Sequence, residues 1–189
     1  MKAKKLVCGV GVNDSDSSVY LMVDGKQRQC PYYQRWINMM KRAYSAHEHK
    51  LRPTYVGCSV HTEWHKFSAF RSWMELQDWQ GMHLDKDIII EGNKVYSSET
   101  CVFVTRETNL FLLERKADRG AFPIGVTKDK GRYRANVRCG DKLRHLGNFT
   151  TPEEAHQAWR VAKYELAVQL ASEQTDPRVA AALIERYKL

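Results

Sequence analysis

The sequence predicts an α+β protein with two domains, on the evidence of its composition and of two successive runs of strand and helix signals. The 189 residues are 43% hydrophobic and 28% charged, which is typical of globular chains long enough to bury a core. The N-terminal part combines aromatic-rich helical patterns with a strand, turn, strand, helix order. The C-terminal part has three short strands before a long helix, which predicts a three-stranded antiparallel sheet packed on a helix.

The N-terminal domain begins with a predicted hairpin and two predicted helices. Val7–Val12 and Ser18–Val23 have strand character, and the polar residues 13–17 between them favour a turn. One helix is predicted from Pro31 and a second over Glu63–Gln77, because large apolar residues recur at helical spacing in both. The high density of aromatic residues in these helices is expected to form the domain core.

The rest of this domain predicts the order strand, turn, strand, helix. Leu84–Ile90 and Val95–Tyr96 have strand character, and Gly92-Asn93 between them is a tight-turn signal. Cys101–Val104 is short and apolar, and a helix is predicted from about Thr105.

A charged, glycine-containing segment at Glu114–Ala121 separates the two predicted domains. We place the first domain at residues 1–115, the second at 121–172 and a short C-terminal helix at 176–189. In the second domain, Thr151 and Glu154 form a capping-box pattern at the start of the long helix. Its three predicted strands are Ile124–Lys128, Arg132–Arg138 and Lys142–Leu146.

The charge of the chain favours an anionic partner. The formal net charge is +8, and residues 121–149 carry seven basic and two acidic residues, a net +5. With a period of two, the middle strand places three arginines and an asparagine on one face and Tyr133, Ala135 and Val137 on the other. Arginine can pair with guanine or phosphate and asparagine with adenine, so this face predicts contact with duplex DNA. The alternative is a solvated basic face, and for the third strand the period alone leaves both faces open.

The second domain resembles the Apetala/ethylene-response-factor type of DNA-binding domain over about residues 121–170. The resemblance rests on Gly125-Val126, on residues 131–137, on residues 145–149 and on Thr151-Pro152-Glu153-Glu154-Ala155 with Ala158. It implies a sheet that lies in the DNA major groove, with Thr127, Asn136, Arg138 and His145 at contact positions. Thr127 and His145 replace residues common in that family, so a different DNA sequence is expected. Together with the charge pattern, the full predicted DNA-binding set is Thr127, Lys128, Lys130, Arg132, Arg134, Asn136, Arg138, Arg144 and His145.

Residues 85–109 resemble the HNH, or ββα-metal, motif of phage homing endonucleases. The matching segments are Asp85-Lys86-Asp87, Gly92-Asn93-Lys94 and residues 100–105 with Asn109. The resemblance implies a metal-dependent DNA endonuclease in which Asp85 and Asn109 hold Mg²⁺ or Mn²⁺ against the scissile phosphate.

Two residues depart from the HNH pattern. Lys86 stands where that family has its general-base histidine, and Thr100 stands where it has an asparagine. Lysine is a poor base at neutral pH unless burial or a cationic neighbour lowers its pKa, and Asp87 or His83 are the alternatives for activating water. The predicted catalytic residues are Asp85, Lys86 and Asp87. The alternative function is a catalytically inactive DNA-binding regulator or inhibitor on a decayed nuclease fold. An RNA target is disfavoured because the A-form major groove is too narrow for a sheet.

The remaining features concern location and assembly. The five cysteines contain no CxxC pair, and we expect free thiols in a reducing cytoplasm, that of the bacterial host if the gene is phage-encoded. There is no apolar run of about 18 residues and no signal-peptide pattern, so no membrane association is expected. The expected partner is double-stranded DNA, and a monomer is favoured.

Overall fold

A computed structural model describes residues 6–113 and 121–189, and it confirms the α+β class. The helices are α1 (Pro31–Tyr44), α2 (Ala46–Leu51), α3 (Phe67–Glu75), α4 (Arg106–Leu112), α5 (Pro152–Ser172) and α6 (Pro177–Tyr187). The strands are β1 (Tyr20–Val23), β2 (Lys26–Gln29), β3 (Ser59–Val60), β4 (His83–Asp85), β5 (Val95–Tyr96), β6 (Val102–Val104), β7 (Val126–Asp129), β8 (Arg132–Cys139) and β9 (Lys142–Phe149). Within these described ranges, no helix is long and apolar enough to cross a membrane.

The chain forms two compact units, Met1–Val104 and Thr105–Leu189. The second unit therefore includes α4, which the sequence analysis placed in the first domain. Thr108 of α4 is fully buried, and Phe111 packs against the core of the second unit, where its carbonyl accepts a 2.7 Å hydrogen bond from Lys163 Nζ. The predicted joint at Glu114–Ala121 lies almost entirely in residues 114–120, which are outside the described residues.

An aromatic core holds the first unit together, as its composition predicts. Trp36, Phe67 and Phe70 are almost completely buried. Trp64 and Phe70 pack edge to face with ring centroids 5.1 Å apart, a favourable geometry for the ring quadrupoles. The indole of Trp36 donates a 2.7 Å hydrogen bond to the carbonyl of Trp64, which satisfies its buried N–H.

The predicted hairpin of Val7–Val12 with Ser18–Val23 is wrong. Val7 instead bridges to Gly11 within its own segment, and β1 pairs with β2. Asp24 and Gly25 join these strands with φ angles of +51° and +71°. Both residues lie in the left-handed region that a tight two-residue hairpin turn requires. The Asp-Gly signal was present in the sequence, but the polar strand β2 lacks the alternation that identifies strands.

The segment after β4 also differs from the prediction. Strand structure stops at Asp85 instead of continuing to Ile90, and β4 pairs with β6 in an antiparallel register. Strand β5 pairs in parallel with β3, so Gly92-Asn93 does not join two paired strands. The predicted helix over Glu63–Gln77 is divided, because Lys66 is extended between a short 3₁₀ turn and α3.

The second unit follows the sequence closely. Strands β7, β8 and β9 form one antiparallel sheet in that order. Thr151 and Glu154 make both reciprocal hydrogen bonds of a capping box at the start of α5. Gly125 approaches α5 so closely that a Cβ there would lie 2.0 Å from Cδ1 of Trp159. Only glycine permits this approach, and its φ of +81° is also one that side chains disfavour.

A β-bulge sets the faces of β9. The register shifts between Ala135 and Asn136, so that Ala135 pairs with Gly147 and Asn136 pairs with His145. The extra residue, Leu146, packs into the core together with Phe149. Three positions separate these two residues, so an unbroken strand would point them to opposite faces.

Candidate nucleic-acid interface and metal site

The side of the β7–β8–β9 sheet that carries Arg134 is here called the outer face. Along β8, Arg132, Arg134 and Arg138 are exposed and Asn136 is half-buried, all on this side. Ala135 and Val137 point the other way and are 0% and 1% exposed against the helical side. The predicted alternation of β8 is therefore confirmed, and its basic residues project together from one surface.

The neighbouring strands extend the outer face, because directly paired residues of antiparallel strands lie on the same side. Thr127 is opposite Arg134, and His145 is opposite Asn136. Six of the nine predicted DNA-binding residues thus share one surface: Thr127, Arg132, Arg134, Asn136, Arg138 and His145.

The other three predicted residues lie elsewhere in the sheet. Lys128 is opposite Tyr133 and Arg144 is opposite Val137, which puts both on the helical side. The ammonium of Lys128 lies 5.7 Å from the ring centroid of Tyr133, in agreement with this placement. Lys130 is in the turn between β7 and β8, with φ of +46°. The register thereby resolves the ambiguity of the third strand, since His145 shares the outer face and Arg144 does not.

Two polar contacts organise the outer face. Arg134 forms an ion pair with Asp129, which lies opposite Arg132 in the register. Across β8 and β9, Nδ1 of His145 lies 3.2 Å from Oδ1 of Asn136. Arg134 is 44% exposed in this arrangement, so its guanidinium is accessible to a phosphate or a base edge.

Sequence reasoning missed three outer-face residues: Asp129, Leu143 and Asn148. Leu143 is opposite Arg138, and Asn148 is opposite Arg134. Strand periodicity identifies which residues of one strand share a face. The relation between strands depends on the register and on the bulge, which local periodicity does not contain.

In the first unit, Asp85 ends β4 and caps the segment that follows. Its Oδ1 accepts hydrogen bonds from the backbone N–H groups of Asp87 and Ile88, at 2.9 and 2.8 Å. Ile88 is 2% exposed and anchors the same segment in the interior. The carboxylate of Asp85 is thereby held in one orientation by its own chain.

The three consecutive charged residues Asp85, Lys86 and Asp87 form a compact group, here called the acidic loop site. Burial and the nearby carboxylate of Asp87 raise the pKa of Asp85 above its ordinary value. Lys86 is only 8% exposed, and its Nζ lies 3.2 Å from Oδ2 of Asp87, which is 47% exposed. A cation supplied by the chain itself therefore lies beside Asp87, whose carboxylate repels that of Asp85.

Asn93 and Thr100 hold the loop around this group. The amide of Asn93 donates to the carbonyls of Lys86 and Val95, at 2.6 and 2.7 Å, and its Oδ1 accepts from the N–H of Val95 at 3.1 Å. Thr100 Oγ1 donates to the carbonyl of Val95 at 2.8 Å and lies 2.9 Å from Oγ of Ser97. Both residues act on the backbone of the loop.

The acidic loop site fits a divalent cation in part. Carboxylate oxygens are the ligands that Mg²⁺ and Mn²⁺ prefer. A bound cation would offset both the burial and the repulsion from Asp87 that raise the pKa of Asp85. The other predicted ligand, Asn109, is half-buried on α4 and belongs to the second compact unit. Among the described residues, no three His, Cys, Asp or Glu side chains are grouped to hold a metal ion.

Comparison with known proteins identifies no relative of this chain. No family model, no curated protein and no solved structure matches it.

Proposed function

We propose that this chain binds double-stranded DNA through the outer face and cuts it as a metal-dependent endonuclease of the HNH type. The observation that carries the proposal is the shared face of Arg132, Arg134, Asn136 and Arg138, each of which is directed away from α5. These side chains can pair with guanine, adenine and phosphate, and a sheet of this width fits the major groove of B-form DNA.

The buried side of β8, opposite the outer face, supports a binding role. Ala135 and Val137 fix the strand on the helix side, so the arginines project from a rigid element. A preorganised surface loses less conformational entropy when it binds. Like charges that align on one strand face repel each other, and the phosphates of DNA would relieve that repulsion.

The endonuclease part of the proposal rests on the chain order and on the acidic loop site. The antiparallel pair β4 and β6 is followed directly by helix α4, and Asp85 ends the first of these strands. Asp85 would ligate Mg²⁺ or Mn²⁺, which when bound neutralises charge on a scissile phosphate. We favour Asp87 as the base, because its carboxylate is half-exposed, whereas the ammonium of Lys86 is nearly buried and already paired.

A second candidate function is a DNA-binding regulator or inhibitor without catalytic activity. The observation that favours it is the buried ammonium of Lys86, 3.2 Å from Oδ2 of Asp87. An internal cation at this place would compete with a metal ion for the carboxylate of Asp87. Both candidates share the outer face and differ only in the acidic loop site.

The binding proposal is tested with two double variants that remove the same charge from opposite sides of one sheet. Arg134→Ala with Arg138→Ala removes two cations from the outer face. Lys128→Ala with Arg144→Ala removes two cations from the helical side. We expect the first variant to weaken binding to duplex DNA at least tenfold and to lower the salt slope by about two. Equal affinities for both variants in fluorescence anisotropy titrations would refute the outer face.

The cleavage proposal is tested on bacteriophage and bacterial genomic DNA with Mg²⁺ or Mn²⁺, with EDTA as a control. Asp85→Asn keeps an oxygen at Oδ1 for the backbone cap and removes the negative charge. We expect metal-dependent cuts by the native chain and by Asp16→Asn, an exposed acidic residue of the same unit, and none by Asp85→Asn. Tight DNA binding without cleavage by the native chain would establish the regulator instead.

A further inference from the structure

One apolar side chain interrupts the polar outer face. Leu143 is 63% exposed, more than any other large hydrophobic residue that the structure describes in the second unit. It is the second residue of β9 and lies opposite Arg138 in the register. Protein folding does not account for a leucine at this place, because its side chain contributes little buried area.

The position of Leu143 within the outer face is well defined. On β9, the next residue on the same side is His145, which is opposite Asn136. Four residues therefore occupy adjacent places on one face: Leu143, Arg138, Asn136 and His145. Directly opposite Cβ atoms lie about 5 Å apart and same-face neighbours on a strand about 7 Å apart, so one base pair or two successive pairs can touch all four.

The chemistry of this patch matches the chemistry of base edges in the major groove. Arginine, asparagine and histidine supply hydrogen-bonding groups, which suit guanine and adenine. Thymine is the one base that presents a methyl group in the major groove, and proteins recognise it by apolar contact. Leu143 provides such an apolar surface beside the hydrogen-bonding groups.

We propose that Leu143 determines sequence specificity by packing against the 5-methyl group of a thymine next to the base pair that Arg138 contacts. This inference rests on the proposed DNA-binding function and assigns one base preference to one residue. Removal of the methyl group from that thymine should then have the same effect as removal of the leucine side chain. The two changes together should cost no more than either alone, because they remove the same contact.

The test uses the full chain and the duplex site obtained by selecting tight binders from random DNA. Each thymine of the site is replaced in turn by deoxyuridine, which lacks only the methyl group. For the native chain we expect one replacement to weaken binding about fourfold, the effect of one buried methyl group. Leu143→Ala should bind the thymine site about fourfold or more weakly and should not distinguish thymine from deoxyuridine there. Leu143→Met should keep the distinction.

The matched control is Val168→Ala, which truncates an exposed apolar residue of α5, 41% exposed. It should keep both the affinity and the preference for thymine. If Leu143→Ala still distinguishes thymine from deoxyuridine as the native chain does, or if no replacement affects the native chain, the assignment of Leu143 is overturned while the binding function stands. If the native chain binds duplex DNA without sequence preference, the assignment of Leu143 is likewise overturned while the binding function stands. If it binds no duplex DNA at all, the proposed function itself fails and this inference fails with it.

Discussion

The acidic loop site and the outer face are both charged regions, but they differ in how far their charges are buried and paired within the protein. In the acidic loop site, Lys86 is nearly buried and paired with Asp87, and Asp85 is engaged by the backbone of its own segment. On the outer face, Arg132 and Arg138 are exposed and project from a strand whose other side is buried.

The difference indicates what each region can do. Charges that are held by internal partners at short distance are suited to chemistry at one point, where position matters more than reach. Exposed charges in a row are suited to an extended anion, whose phosphates are spaced along a groove. The following predictions change one region and use the other as the internal reference, in order of decreasing effect.

The largest effect is expected when the support of the outer face is disturbed. Gly125→Ala would place a Cβ 2.0 Å from the indole of Trp159 at a φ of +81°. The carbonyl of Gly125 also accepts a 2.9 Å hydrogen bond from the N–H of Asn136, so any shift reaches β8. We expect the unfolding free energy of the second unit to fall by about 3 kcal/mol. DNA binding should weaken as well, because β8 carries the outer face. Hydrogen exchange measured by mass spectrometry should show the loss in the described residues of the second unit, α4 included, and not in the first unit.

Gly131→Ala is the control for this substitution. Gly131 has a nearly identical φ of +82°, but a Cβ there would meet no atom within 4 Å. Gly131→Ala should lower the unfolding free energy by only about 1 kcal/mol, the cost of holding a residue with a side chain in the left-handed backbone conformation. Equal losses for Gly125→Ala and Gly131→Ala would show that the close approach to Trp159 is unimportant.

A smaller effect is expected when the loop of the acidic site is released. Asn93→Ala removes three hydrogen bonds to the backbone of Lys86 and Val95. We expect a loss of about 2 kcal/mol, with faster amide exchange around residues 86–95 and unchanged DNA affinity. Asn148→Ala, at an exposed asparagine of β9, should leave stability almost unchanged. Protection of residues 86–95 that equals that of the native chain would contradict the anchoring role of Asn93.

The smallest effect concerns the ionisation of Asp85. Its pKa is raised in the folded chain by burial and by Asp87, so the ionised form is less favourable in the folded state than in the unfolded state. This carboxyl group therefore lowers stability as the pH rises through its folded pKa. Asp85→Asn should raise the midpoint of thermal unfolding by a few degrees at pH 7. Near pH 3 it should leave the midpoint unchanged, because the carboxyl group is then protonated in both states. A variant that is less stable than the native chain at pH 7 would show that the charge of Asp85 stabilises the fold.

Elements that depend on local signals agree with the sequence. Thr151 with Glu154, and Asp176 before Pro177, specify the starts of α5 and α6 through caps within the first turn. The alternation along β8 is local as well, and it predicted which face carries the arginines. Strand β2 and the division at Lys66 escaped prediction, because an exposed polar strand has no hydrophobic period and Lys66 is extended where Val12 pairs with it.

The sequence by itself determined the α+β composition, the caps of the long helices and the basic side of β8, since each follows from residues that are close together in the chain. Tertiary structure alone decided that β4 pairs with β6, that α4 belongs to the second unit and that Leu143 joins the outer face in place of Arg144. These features arise from pairing between distant segments. Their free energies depend on register, bulges and burial, which a local pattern does not encode.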